Sequence, residues 1–191
     1  GDVISYTITL TSTGDAAVAP ADVEDNLFAS AEANTLKLNG EAVALTTEGK
    51  VQVGTLAKKG DTATITYDYK VTEDDTTVTN TAVNSDGKTD TTTNPVADYD
   101  LAKSAKIGSA ELKSGDTVKP GDVISYTITL TSTGDAAVTP APVEDNLFSS
   151  AVEGALKLNG QPATLTEGKV KIDELAKKGD TATITYDYKV T

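Results

Sequence analysis

Eighteen residues of this chain occur twice without a change. GDVISYTITLTSTGDAAV fills positions 1–18 and returns at 121–138. The match runs on, so that residues 1–72 align with 121–191 with one residue fewer in the second copy. VEDNLF and LKLNG recur at the same offset of 120, and LAKKGDTATITYDYKVT recurs at 119, past the missing residue. That period is the size of a domain, well above the roughly 20–50 residues of a solenoid repeat. The duplication constrains the fold strongly, because whatever one copy folds into, the other must be able to fold into as well. Residues 73–120 occur once and read as the tail of a first unit followed by the head of a second. The expected units are therefore residues 1–97, lacking an opening strand, and 98–191, lacking a closing strand. Such a chain is expected to be a segment of a longer array whose neighbours are identical repeats.

Each copy alternates with period two. In VISYTITLT, Ile4, Tyr6, Ile8 and Leu10 fall on one face and Ser5, Thr7 and Thr9 on the other. In TATITYDYKV, Ile65, Tyr67, Tyr69 and Val71 share a face. This is the pattern of a half-buried antiparallel strand. Asn39-Gly40 in LKLNGEAV suits the positive φ values of a tight hairpin turn. STGD, KKGD and SDG mark further turns, which puts the lysine pairs Lys58-Lys59 and Lys177-Lys178 on exposed turns. DNLFASAEA has room for one helical turn. Short strands at roughly 8–12-residue spacing predict an all-β chain of tandem Ig-like antiparallel β-sandwich domains.

Composition narrows the function. The net charge is −13, which argues against nucleic acid and anionic membrane as partners. No apolar run approaches the roughly 20 residues of a membrane span, so no membrane insertion is expected in this segment. The chain has no Cys and no His, so the usual nucleophile–base pairs and disulfides are absent. Paired carboxylates could in principle hydrolyse glycosides. With seven Tyr and two Phe, however, no aromatic-rich cleft is evident. The chain is not expected to be an enzyme acting on an external substrate, and no cofactor is expected. NSDGKTD, residues 84–90, offers oxygens at alternate positions for calcium, but its spacing does not fit an EF-hand loop. The favoured reading there is a solvated acidic loop.

The parity test also finds polar residues on the apolar faces. LAKSAKI places Lys103 in line with Leu101, Ala105 and Ile107, while Lys106 points the other way. Asp25 lies in line with Val23 and Leu27, and its counterpart Asp145 with Val143 and Leu147. Asn80 lies in line with Val78 and Ala82. Burying an unpaired charge costs several kcal/mol, so three such residues on separate strands make sense together. Each also has an ordinary reading: a lysine snorkelling from an edge strand, a cap carboxylate, a turn asparagine. One chemistry uses all three. A desolvated lysine loses its proton more readily and a desolvated carboxyl holds one. The neutral amine can attack the Asn carboxamide while the acid polarises it and shuttles the proton. Ammonia leaves, and an isopeptide bond joins the first strand of a unit to its last. This is a single-turnover self-crosslink that would staple a Cys-free domain as a disulfide staples others.

KPGDVISYTITLTSTGDAAVTPAPVEDNLF, with LAKKGDTATITYDYKVT and TVTNTAV, resembles the DUF11-type repeat domains of bacterial surface proteins, over essentially the whole chain. These are Ig-like sandwiches of long adhesins and fibres, similar to isopeptide-forming pilin and adhesin modules. The resemblance implies that Lys103 matches the opening lysine, Asp25 and Asp145 the promoting acid, and Asn80 the closing asparagine. One departure is TSTG, where such repeats often read TNTG. The implied role is a structural stalk or fibre at the bacterial surface, extracellular or cell-wall-anchored. Two alternatives stand beside it. One is an adhesive module contacting a host protein or glycan through its loops. The other is a filament subunit assembling by strand exchange. By position, the lysine partner of Asn80 would precede Gly1 and the asparagine partner of Lys103 would follow Thr191. A Lys103–Asn80 link would cross units and is the less favoured arrangement.

Overall fold

A computed structural model of the chain describes residues 1–20 and 22–191. The chain is all-β and divides into unit 1, Gly1–Asn94, and unit 2, Pro95–Thr191. Unit 1 contains β1 (Val3–Thr11), β2 (Val23–Asp25), β3 (Lys37–Leu38), β4 (Glu41–Ala42), β5 (Lys50–Val51), β6 (Thr62–Lys70), β7 (Thr77–Asn84) and β8 (Thr89–Pro95), the last running to the division. Two antiparallel sheets result, in the orders β1-β6-β3-β4 and β5-β2-β7-β8. Unit 2 contains β9 (Tyr99–Ile107), β10 (Ala110–Glu111), β11 (Val123–Ser132), β12 (Val143–Glu144), β13 (Lys157–Leu158), β14 (Gln161–Pro162), β15 (Lys169–Val170) and β16 (Thr181–Lys189). Its sheets are β10-β9-β11-β16-β13-β14 and the pair β12-β15.

The duplicated strands pair in the same register. Tyr6 faces Tyr67 and Ile8 faces Ile65, as Tyr126 faces Tyr186 and Ile128 faces Ile184. Alternation works as the sequence predicts: threonines line the outer face while Ile65, Tyr67, Ile184 and Tyr186 are fully buried. Asn39 and Asn159 both adopt φ 51°, each followed by a positive-φ glycine, and close the β3–β4 and β13–β14 hairpins. The expected helical turn is a single 3-10 turn, Phe28–Ser30 and again Phe148–Ser150, whose phenylalanines are buried. They meet Tyr67 and Tyr186 edge-on at 5.2 Å, joining the two sheets of each unit. No helix among the described residues is long and apolar enough to cross a membrane.

The units differ at their edges. In unit 2, β9 lies antiparallel to β11 from Ile124↔Ile107 to Ser132↔Tyr99. In unit 1, among the described residues, β1 pairs with β6 alone and no strand lies where β9 lies in unit 2. In unit 1, β2 is flanked by β7, whereas β12 pairs with β15 alone among the described residues.

Candidate functional site

Both carboxylates sit at the same place, at the end of a short strand just before the 3-10 turn. Asp25 is 5% exposed, and the Asp145 side chain is 4% exposed. Local sequence holds each one. The Leu27 N–H donates to Asp25 Oδ1 at 2.8 Å, and the Leu147 N–H donates to Asp145 Oδ1 at 3.0 Å. The opposite sheet contributes a phenol: Tyr67 donates to Asp25 Oδ1 at 2.9 Å and Tyr186 to Asp145 Oδ2 at 2.9 Å. Burial pushes both phenols well above their ordinary pKa, and the neighbouring carboxylates push them further, so both hydroxyls keep their protons. The sequence pattern counts these tyrosines only as members of an apolar stripe. The signal for more was available, because a buried tyrosine hydroxyl needs a partner and the inward Asp is the nearest candidate.

Unit 1 adds the asparagine. Asn80, 5% exposed on β7, donates through Nδ2 to Asp25 Oδ1 at 2.6 Å and to the Tyr67 hydroxyl at 2.8 Å. Asn26 fixes β7 in place by donating to the Thr79 carbonyl and accepting from the Thr81 N–H. The carboxyl therefore lies against the amide nitrogen of Asn80. The second oxygen of Asp25, Oδ2, is buried and has no hydrogen-bond partner among the described residues. An orphaned buried oxygen of this kind costs about 1–3 kcal/mol.

Unit 2 adds the lysine. Lys103 on β9 pairs with Ile128 in the ladder, and its Nζ bonds Asp145 Oδ2 at 2.5 Å. The ammonium also stands 4.6 Å from the centre of the Tyr126 ring. Parity thus aims Lys103 at the carboxylate and leaves Lys106 opposite Ser125 on the exposed face. The desolvation expected of Lys103 is incomplete. Its side chain is 37% exposed and Leu101 is 55% exposed, and among the described residues unit 2 has no strand equivalent to β7. Burial alone would raise the Asp145 carboxyl. The hydrogen bonds from Lys103, the Leu147 N–H and Tyr186 outweigh burial and hold the carboxyl below its usual value. The sequence reading instead expects burial to keep a proton on the acid, and at Asp145 the hydrogen bonds oppose that effect.

Asp25 and Asn80 thus come together in unit 1, and Lys103 and Asp145 in unit 2. No lysine among the described residues bonds Asp25, and no asparagine bonds Asp145. Residues 84–90 form the β7–β8 turn, where Asn84 accepts from the Lys88 and Gly87 N–H groups. No group of three or more acidic, His or Cys side chains able to hold a metal occurs among the described residues. Lys58, Lys59, Lys177 and Lys178 lie exposed on turns.

Gly134 is a second feature that the sequence reads only as a turn. A Cβ there would stand 2.0 Å from the Val96 carbonyl oxygen, because the segment leading into β9 crosses it. Ala136 donates to that same carbonyl at 2.9 Å. Nothing lies within 4 Å of the corresponding position at Gly14. Comparison of the chain with family models, curated proteins and solved structures finds no match.

Proposed function

We propose that the chain is a structural module: tandem Ig-like sandwiches forming the stalk or fibre of a bacterial surface protein, each complete unit stapled by a Lys–Asn isopeptide bond. One observation carries the reading. The same buried carboxylate holds the amide nitrogen of an asparagine in one unit and the ammonium of a lysine in the other. The two half-sites are complementary, and a complete unit would hold all three groups around one acid. The resemblance to DUF11-type surface repeats, the net charge of −13 and the absence of Cys agree with a soluble extracellular stalk that needs a staple other than a disulfide.

The chemistry balances without a co-reactant. Within the lysine–aspartate hydrogen bond, the ammonium gives a proton to the carboxylate. Desolvation favours that transfer once a covering strand closes the site. The neutral Nζ attacks Cγ of the asparagine, forming the N–C bond. The acid protonates Nδ2, against which Asp25 already sits, and the C–Nδ2 bond breaks. The proton remaining on the new amide nitrogen's cationic form returns to the carboxylate. Ammonia is the only product lost. The buried tyrosine holds the acid in place through its hydroxyl.

A joined chain in which residues 98–191 are followed by residues 73–97 brings Lys103, Asp145 and Asn80 into one unit, since Thr191 corresponds to Thr72. Pulled from its ends in a single-molecule experiment, that unit should not extend between Lys103 and Asn80. Extension to the full contour length would overturn the stapled-stalk reading.

A further inference from the structure

The nitrogen of the Asn80 side chain meets acceptors on every side. Nδ2 lies 2.6 Å from Asp25 Oδ1, 2.8 Å from the Tyr67 hydroxyl oxygen and 3.4 Å from Asn26 Oδ1. Each oxygen is held in the accepting role by another bond. Tyr67 donates its one proton to Asp25 Oδ1 at 2.9 Å, so only its lone pairs remain for Asn80. Burial and the Asp25 charge raise the phenol, which keeps that proton in place. Asn26 donates its nitrogen to the Thr79 carbonyl at 3.0 Å and accepts from the Thr81 N–H at 2.7 Å, which turns its oxygen toward Asn80. Thr79 and Thr81 flank Asn80 on β7, so the strand that carries the amide also sets the third acceptor.

Donors and acceptors are mismatched in this ground state. A carboxamide nitrogen has two N–H groups, and here it faces three oxygens, with that of Asn26 the farthest. Ammonia has three N–H groups. In the crosslinking step the Cγ–Nδ2 bond breaks, its electron pair stays on nitrogen, and the proton of the acid arrives there. The acid is then an acceptor again, and each of the three oxygens has one N–H to receive. Contacts completed only as the bond breaks lower the barrier instead of tightening the starting state. Asn26 is exposed, which gives the ammonia a way out. Asp145, Asn146 and Tyr186 repeat the set in unit 2.

We propose that Asp25 Oδ1, the Tyr67 hydroxyl and Asn26 Oδ1 form a leaving-group cradle, which selects asparagine over aspartate as the electrophile and holds the departing ammonia. The inference rests on the crosslinking reading above. It makes Tyr67 and Asn26, with their counterparts Tyr186 and Asn146, positioning residues for the amide nitrogen. A carboxyl side chain in place of Asn80 sets a further oxygen against three acceptors, so it is held poorly for attack.

The test has two arms. In the full chain, NMR reads hydrogen exchange at the Asn80 side-chain amide. Asn26→Ala should speed that exchange by at least about threefold, and Asn26→Asp, which keeps the accepting oxygen, should not. In the second arm the full chain is extended past Thr191 by its own residues 73–97, which puts a copy of Asn80 beside Lys103 and Asp145. After dilution from denaturant, intact mass follows the loss of ammonia over time. Asn146→Ala should slow the crosslink by at least about tenfold, and Asn146→Asp should leave it within about threefold of the unchanged chain. Asn80→Asp in the appended copy should slow it by at least about tenfold, read as loss of water. If Asn146 served only to anchor its neighbouring strand, Ala and Asp would slow the reaction alike, since both lose the donor to the strand carbonyl. That result, an aspartate that reacts as fast as asparagine, or exchange at Asn80 unmoved by Asn26→Ala overturns the cradle and leaves the crosslink standing. An extended chain that never loses mass overturns the crosslinking reading, and the leaving-group role with it.

Discussion

Unit 1 and unit 2 share most of their sequence and bury it differently. Leu10 and Leu130 occupy the same place on the same strand, yet one is half-exposed and the other fully buried. Asp25 and Asp145 are gripped by the same turn amide and the same tyrosine, yet one faces an asparagine and the other a lysine. The difference teaches which parts of the site each unit builds by itself. The acid and its tyrosine are placed by the sheets common to both units, so they are in position before either reacting partner arrives. The lysine comes on β9 and the asparagine on β7, the two long strands by which the sheets of the units differ.

If this division is right, paired substitutions should separate the units. Leu130→Ala should cost about 2–5 kcal/mol of unfolding free energy in urea, and Leu10→Ala clearly less, because only Leu130 is sealed under β9. Equal losses would contradict the difference in cover. Gly134→Ala should cost about 1–3 kcal/mol by forcing the Val96 backbone away. Gly14→Ala, with open space around it, should stay within about 0.5 kcal/mol.

Smaller effects test the polar network. Tyr186→Phe removes one hydrogen bond to Asp145 and should cost about 1 kcal/mol. Tyr67→Phe should cost more, because that hydroxyl both donates to Asp25 and accepts from Asn80. Acid titration gives the finest comparison. The carboxyl of Asp145 is depressed below its ordinary value of 3.8. A depressed acid contributes stability that is present above the unfolded pKa and is lost as pH falls through the folded one. Unit 2 should therefore lose this contribution only below about pH 4. In Lys103→Ala the titration midpoint read by NMR should move up, since the Lys103 hydrogen bond and charge are among the groups holding it down.

Much of this was legible from alternation alone. Period two placed Asp25, Asn80 and Lys103 on inward faces, and Asn-Gly placed the hairpins, because both signals are local. The burial of Lys103 was not legible. It depends on which strand lies across the sandwich, and among the described residues β12 has no neighbour equivalent to β7. The lowered Asp145 carboxyl was not legible either, because it depends on hydrogen bonds from Lys103, the Leu147 N–H and Tyr186 that outweigh burial. Gly134 was also hidden, since a turn glycine and a glycine crossed by a distant backbone look alike in sequence. The tyrosine hydroxyls were missed because Tyr67 and Tyr186 fit the apolar stripe so well that their polar ends went unused.

The central claim is that this constellation makes a covalent bond once lysine, acid and asparagine share a unit. A staple closing a loop on the order of 100 residues would add about 4–5 kcal/mol by the chain-entropy argument. The direct measurement is the intact mass of the joined chain, residues 98–191 followed by 73–97. The account predicts a mass one ammonia below that of the sequence, restored to the full value by Lys103→Ala, Asp145→Ala or Asn80→Ala. A folded joined chain at its full sequence mass would contradict it.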